Sequence, residues 1–119
     1  MIPALREAME AGLSAMRQGS AVDAVVEAVA LLEESGFFDA GGGAVLNLDG
    51  EMELDAGLMD GETLRSGGVA AVRSVPQPIR LARVVMERTG HILVAGPGAG
   101  DLARAVSLAR ELRPLARRI

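Results

Sequence analysis

An α/β layered domain, with helices leading into a largely antiparallel sheet, is the fold this sequence predicts. Three observations carry that prediction. Apolar residues recur at helical spacing through the first third of the chain. Alternating and small-residue runs, separated by Asp-Gly pairs, follow them. No stretch in the 119 residues has the length or composition of a linker, so residues 1–119 read as one domain.

Ile2, Leu5, Met9, Leu13 and Met16 form the apolar stripe of a first amphipathic helix, with Arg6, Glu7, Glu10 and Arg17 mostly between them and Gly19 ending it. Ser20 with Asp23 three residues on makes a capping-box-like start for a second helix, Ala21 to Glu34. Val22, Val25, Val26, Val29, Leu31 and Leu32 leave that helix little polar surface, which suits a helix sandwiched between layers.

Gly36 to Gly43 breaks the helical part from the extended part. Ala44 to Leu48 then reads as a strand, Asp49-Gly50 as a tight hairpin turn, and Glu51 to Met59 as the return strand. In the return strand Met52 and Leu54 share one face, and Glu51, Glu53 and Asp55 the other. After a turn at Asp60-Gly61, Gly67 to Arg73 is a strand of very small residues on which another element can pack closely. Pro78 suits the first turn of a helix running to about Arg88, with Arg83 and Glu87 paired at four-residue spacing. Gly90 stops it, His91 to Ala95 reads as a short buried strand, and a last helix spans about Asp101 to Leu112. Pro114 ends that helix, and residues 113–119 are a basic tail.

Composition narrows the function. The only aromatics are Phe37 and Phe38, so the core is aliphatic. A net charge of −4 with no basic face gives no support for nucleic-acid binding. Without cysteine there are no disulfides or thiolate metal sites, and the one histidine, His91, cannot build a zinc site alone. No apolar run reaches membrane-spanning length and no signal-peptide pattern opens the chain, which makes a cytoplasmic protein the default.

Candidate chemistry is sparse. Glu51, Glu53 and Asp55 suit either a hard-cation site or a solvated strand face, and no partner ligand favours the first. His91 suits either a general base or a hydrogen-bonded structural residue. Gly96-Pro97-Gly98-Ala99-Gly100 lies between a strand and a helix, where a phosphate loop sits. It misses the dinucleotide spacing at Asp101 and lacks the Lys-Ser/Thr of a triphosphate loop. Thr63 and Thr89, like the scattered serines, have no identifiable base, so spacing alone proposes no nucleophile.

One stretch is more specific. Phe37 to Gly61, FFDAGGGAVLNLDGEMELDAGLMDG, resembles the α subunits of the plant-type asparaginase/isoaspartyl peptidase family. Those subunits carry Phe-Asn-Ala-Gly, then Gly-Ser/Ala-Val-Leu-Asn, an acidic hairpin, and Glu-Leu-Asp-Ala…Met-Asp-Gly. The resemblance extends through GGVAAVRSVPQPIRLARVVMERTGHILVAGPGA, Gly67 to Ala99, and upstream through GSAVDAVVEAVALLEES.

The resemblance implies the four-layer αββα sandwich of N-terminal-nucleophile hydrolases, of which this chain is the α part. It implies a precursor that cuts itself, so that a threonine opening a separate β subunit becomes the nucleophile with its own α-amine as base. The implied substrates are L-asparagine and β-aspartyl dipeptides, and the implied assembly is (αβ)₂. The chain stops at Ile119, before any Thr-Val-Gly motif, so the tail at 113–119 leads to the processing linker and no catalytic residue lies in this chain. The family also opens with a strand and a His-Gly-Gly-Ala-Gly turn, whereas this chain starts at the helix that follows. No organic cofactor is implied. A structural sodium ion is, held by the main-chain carbonyls of Leu32, Glu33, Ser35, Phe38, Ala40 and Gly42, with Gly36 in place of the usual proline.

Asp39 stands where the family has its supporting asparagine. A carboxylate accepts hydrogen bonds but cannot donate as an amide does. Beside the threonine's amine its charge would favour the ammonium form and hinder proton uptake, unless Asp39 is itself protonated or turned away. Glycosylasparaginase, an inactive scaffold, and a small-ligand module using Gly96 to Gly100 are the alternative readings.

Overall fold

The computed structural model describes residues 1–112. The proposed tail at 113–119, with Pro114, lies outside the described residues.

Four helices and three strands follow in the order α1 (Ile2–Gln18), α2 (Ala21–Ser35), β1 (Leu54–Met59), β2 (Ser66–Val72), α3 (Pro78–Arg88), β3 (Leu93–Ala95) and α4 (Gly96–Ala105). The sheet order is β1-β2-β3, antiparallel between β1 and β2 and parallel between β2 and β3. It is thus a mixed sheet, and the second pairing departs from the antiparallel expectation because α3 serves as a crossover between β2 and β3. Mixed α and β layers are what the αββα sandwich requires of its α part.

Helix α2 starts at a capping box: Asp23 donates its backbone N–H to Ser20 Oγ at 3.3 Å, and Ser20 N–H donates to Asp23 Oδ2 at 2.8 Å. That bond from Ser20, with the Arg83 guanidinium beside it, lowers the Asp23 carboxyl below its ordinary range. Arg83 reaches Asp23 at 2.7 Å, and Arg80 grips Glu27 at 2.9 and 3.1 Å, so two ion pairs tie α2 to α3. Val22, Val26 and Ala30 of α2 pack with Ile79 and Met86 of α3. On its other side α2 carries α1. The expected sandwiched position holds, although Val25 is exposed.

The small residues of β2 admit α3 closely. A Cβ on Gly67 would stand 2.4 Å from Ala82 O and 2.6 Å from Met86 N, so only glycine fits there. Val69, Val72, Val75, Leu81, Ala82, Val85, Ala99 and Ala103 form the main core, an aliphatic one as the composition requires.

Several elements differ from expectation. The stripe Ile2, Leu5, Met9, Leu13 and Met16 does not pack on the rest of the chain, and all five residues are exposed. Instead α1 turns its small residues, Ala8 and Gly12 among them, toward Ala24 and Ala28 of α2. Small side chains let helix axes approach closely and bring backbone dispersion contacts into range.

Residues 44–48 form no strand, and β1 begins at Leu54 rather than Glu51. Val45 N–H donates to Asp39 Oδ1 at 2.8 Å, so it is unavailable to a ladder. The turn itself forms: Asn47 N–H donates to Glu51 O, Gly50 N–H to Asn47 O, and Asn47 Oδ1 accepts from Asp49 and Glu51. The strand at His91 is shorter and more exposed than expected, because it forms one edge of the sheet.

The last helix starts at Gly96 with Pro97 in its first turn, so the glycine-rich segment is helix rather than loop. It ends at Ala105, well before Leu112. Ser107 takes φ 62, Leu108 N–H donates to Ala103 O and Ser107 N–H to Arg104 O, a Schellman closure made without glycine.

Candidate functional site

Helix α2 ends at Gly36 in the left-handed conformation, φ 75, which reverses the chain into the 37–45 loop. Ala40 N–H donates to Phe38 O at 2.8 Å and Gly43 N–H to Ala40 O at 3.0 Å, giving a 3₁₀ turn over Gly41–Gly43. Asp39, exposed, closes the loop through Val45 N–H. A cavity of about 460 Å³ opens here, lined by Asp39, Ala40, Val45, Asn47, Glu53 and Asp55 among others. Its polar groups are acidic or amide, so it suits a cationic or amino-bearing group better than an anion.

The candidate cation residues fall at the C-terminal end of α2 and in this loop, where the helix dipole favours positive charge. Of the candidate carbonyls, Glu33 O comes close to Gly41, where a Cβ would lie 2.7 Å from it and 2.7 Å from Pro76 O, which is not among the candidates. A Cβ on Gly42 would lie 3.7 Å from Glu33 O. Leu32 O accepts from Ser35 Oγ at 2.9 Å, and Phe38 O and Ala40 O each accept one loop N–H. Each of these oxygens keeps a second lone pair. Neutral carbonyl oxygens are the donor type that a hard cation takes.

The side chain of Glu33 is a functional feature that sequence reasoning did not single out. It is 2% exposed, and its carboxylate accepts from Ile79 N–H at 3.2 and 3.4 Å, capping the first turn of α3. Burial pushes its carboxyl up to about 8, against the opposing pull of the Ile79 hydrogen bond. The signal was present in the spacing: Glu33 continues the Val22, Val26, Ala30 stripe of α2.

Glu51 and Glu53 face solvent and Arg73, at 3.8 and 3.9 Å. Asp55 Oδ1 accepts from Ala71 N–H at 2.8 Å, where a bulge in β2 opposite Leu54–Ala56 leaves that donor outside the ladder and Ala71 takes φ 50. No group of three His, Asp or Glu converges on a metal site among the described residues. His91 is exposed, and its backbone N–H donates to Thr89 Oγ1.

Neither threonine lines this cavity. Thr63 Oγ1 accepts from Arg65 N–H, and Thr89 Oγ1 donates to Val85 O at 2.7 Å, capping α3. A second cavity, of about 430 Å³, is bordered by Arg73, Ser74, Arg104 and the start of α4. Its arginines lie beside Glu51, Glu53 and Asp101, so no free cationic pair faces a phosphate there.

No helix of the described residues is long and apolar enough to cross a membrane. A family model described as "Asparaginase" matches residues 1–114. Among curated relatives, a plant-type L-asparaginase of Pyrobaculum calidifontis is 53% identical over 105 residues, covering 88% of this chain and 35% of its own length. An isoaspartyl peptidase/L-asparaginase of Danio rerio is 51% identical over 105 residues, covering 87% of this chain and 34% of its own length. An isoaspartyl peptidase of Salmonella typhimurium is 49% identical over 110 residues, covering 92% and 35%. The chain therefore spans about a third of the length of these relatives.

Proposed function

The chain belongs to the asparaginase family, and from that premise we propose that it is the α part of an N-terminal threonine amidohydrolase acting on L-asparagine and β-aspartyl dipeptides. The nucleophile is the first residue of a β chain cut from the same precursor, and two αβ units associate. One observation carries the reading. The loop bearing the family's motif residues borders a cavity with no serine or threonine in its lining, while Thr63 and Thr89 are engaged elsewhere. An acidic wall with one amide, from Asn47, suits the orientation of an amine-bearing group.

In this arrangement Asp39 faces the incoming threonine and Val45 N–H fixes its carboxylate. The carbonyls of Leu32, Glu33, Ser35, Phe38, Ala40 and Gly42 would hold a sodium ion, whose charge would stiffen the loop behind Asp39. Proton transfer from the threonine hydroxyl to its own amine then generates the alkoxide that attacks the amide carbon. Co-expression of the chain with the segment that follows it in the gene tests the reading. The purified assembly should release ammonia from L-asparagine and an amino acid from a β-aspartyl dipeptide. Activity on glycosylated asparagine alone would overturn it.

A further inference from the structure

Among the described residues one charged side chain is buried, that of Glu33. It continues the α2 stripe of Val22, Val26 and Ala30, whose other members are apolar. A carboxyl group in such a place is costly unless a donor meets it. The donor is Ile79 N–H, 3.2 Å from Oε2 and 3.4 Å from Oε1.

Helix α3 has no cap of its own to offer. Gln77 stands at its N-cap position without a side-chain cap bond, and its Oε1 instead accepts from Arg80 Nε at 2.6 Å. Pro78 follows and has no N–H to satisfy. Ile79 N–H is therefore the first unmet donor of the helix, and its acceptor comes from α2.

The same residue meets the motif loop. A Cβ on Gly41 would lie 2.6 Å from Glu33 Cβ and 2.7 Å from both Glu33 O and Pro76 O. The Gly41 backbone, at φ 51, thus sits in a notch between Glu33 and the segment that leads into α3. The bond from Ile79 to Glu33 holds the two sides of that notch together. Asp39 and Gly41 both line the cavity, and Glu33 stands behind them. Gly43 N–H donates to Ala40 O and Val45 N–H to Asp39 Oδ1, so residues 39–45 are one hydrogen-bonded unit. A shift at Gly41 carries Asp39 with it.

We propose that Glu33 is a positioning residue for the reaction: by joining α2 to the first turn of α3 behind Gly41, it sets where residue 39 stands in the cavity. This rests on the functional reading above, in which residue 39 faces the threonine. An apolar side chain of similar length would fill the space but leave Ile79 N–H unmet and the notch free to widen.

The test is a mutant cycle in the full-length assembly. Glu33→Met keeps length and volume without the acceptor, and Glu33→Gln keeps an oxygen for Ile79. The kcat gain and pH–rate shift of Asp39→Asn should persist in the Glu33→Gln background and fall below about half in the Glu33→Met background. Amide exchange over residues 40–45 should run roughly ten-fold faster in Glu33→Met, with Glu33→Gln near the parent and residues 54–59 unchanged as the reference. In an active parent, an Asp39→Asn effect that is absent, or equal in all three backgrounds, overturns the inference. So does exchange that rises equally in both segments, which marks a general loss of stability. If Glu33→Met does not assemble, Gly41→Ala presses on the same notch from the loop side and must show both effects. Failure of both variants to assemble also overturns the inference, since the contact then serves folding alone. Ammonia release from L-asparagine by the parent separates this inference from the functional one. A parent that hydrolyses nothing rejects the functional reading, while loop exchange still decides whether Glu33 holds residue 39. A hydrolysing parent whose loop exchange ignores Glu33→Met rejects only the positioning.

Discussion

The carboxylate of Glu33, at the end of one helix, accepts the Ile79 N–H in the first turn of another, and almost no water reaches the contact. The carboxyl is pushed up to about 8, from 4.5 when solvated. Between those values the folded chain holds a proton that the unfolded chain has released. Stability from this group is therefore full below about pH 4.5 and declines as pH rises toward 8. Glu33→Gln keeps an oxygen for Ile79 and removes the titration. Denaturant melts at pH 5 and pH 8 should show the parent losing on the order of a few kcal/mol more than the variant across that interval. Parallel losses would show that Glu33 is not the titrating group.

Asp39 Oδ1 accepts the Val45 N–H, and an asparagine carbonyl in the same place would do so too. Asp39→Asn should thus leave the loop intact while removing a negative charge beside the proposed threonine amine. In the assembled enzyme kcat should rise several-fold, and the rising limb of the pH–rate profile should move to lower pH. A rate and profile identical to the parent's would remove Asp39 from any role in setting the nucleophile.

Gly67 and Gly61 make a controlled pair. A Cβ at Gly67 meets backbone atoms of α3 at 2.4 and 2.6 Å, whereas one at Gly61 meets nothing within 4 Å. Gly67→Ala should cost about 1–3 kcal/mol by forcing α3 off the sheet. Gly61→Ala should stay within about 0.5 kcal/mol. Urea unfolding of the two variants side by side reads the difference, and equal midpoints would refute the close packing.

A sodium ion held by the proposed loop carbonyls would have a salt-specific effect. Replacing sodium chloride by tetramethylammonium chloride at equal ionic strength should lower the melting temperature by a few degrees, since a bulky cation cannot enter among the carbonyls. Gly41→Ala, which places a Cβ 2.7 Å from Glu33 O and Pro76 O, should abolish that difference. A melting temperature that ignores the identity of the cation counts against the ion.

What was legible in the sequence follows from the range of the forces involved. The capping box at Ser20 and Asp23, the limits of α3, the Asn47–Gly50 turn and the small strand under α3 are local or depend on one residue's size, and all were readable. The face of α1 was not. Periodicity marks the large apolar stripe, yet the chain packs its small-residue ridge, Ala8 and Gly12, toward Ala24 and Ala28 of α2 and leaves the stripe exposed. The strand expected at 44–48 fails because of one side-chain bond, Asp39 to Val45, which competes with the ladder across six residues. The early start of α4 was hidden by glycines that normally break helices, and its end by a serine in the left-handed conformation. At the site, the motif block located Asp39 and the loop. The burial of Glu33 depends on α3, which lies more than forty residues further on.

The most direct measurement is the rate of ammonia release from L-asparagine by the 119-residue chain and by the full-length assembly, at equal concentration and neutral pH. The account predicts background release from the chain, turnover by the assembly, and loss of that turnover when the first threonine of the β chain is replaced by alanine. Hydrolysis by the chain alone, or an assembly that leaves both L-asparagine and a β-aspartyl dipeptide intact, would contradict it.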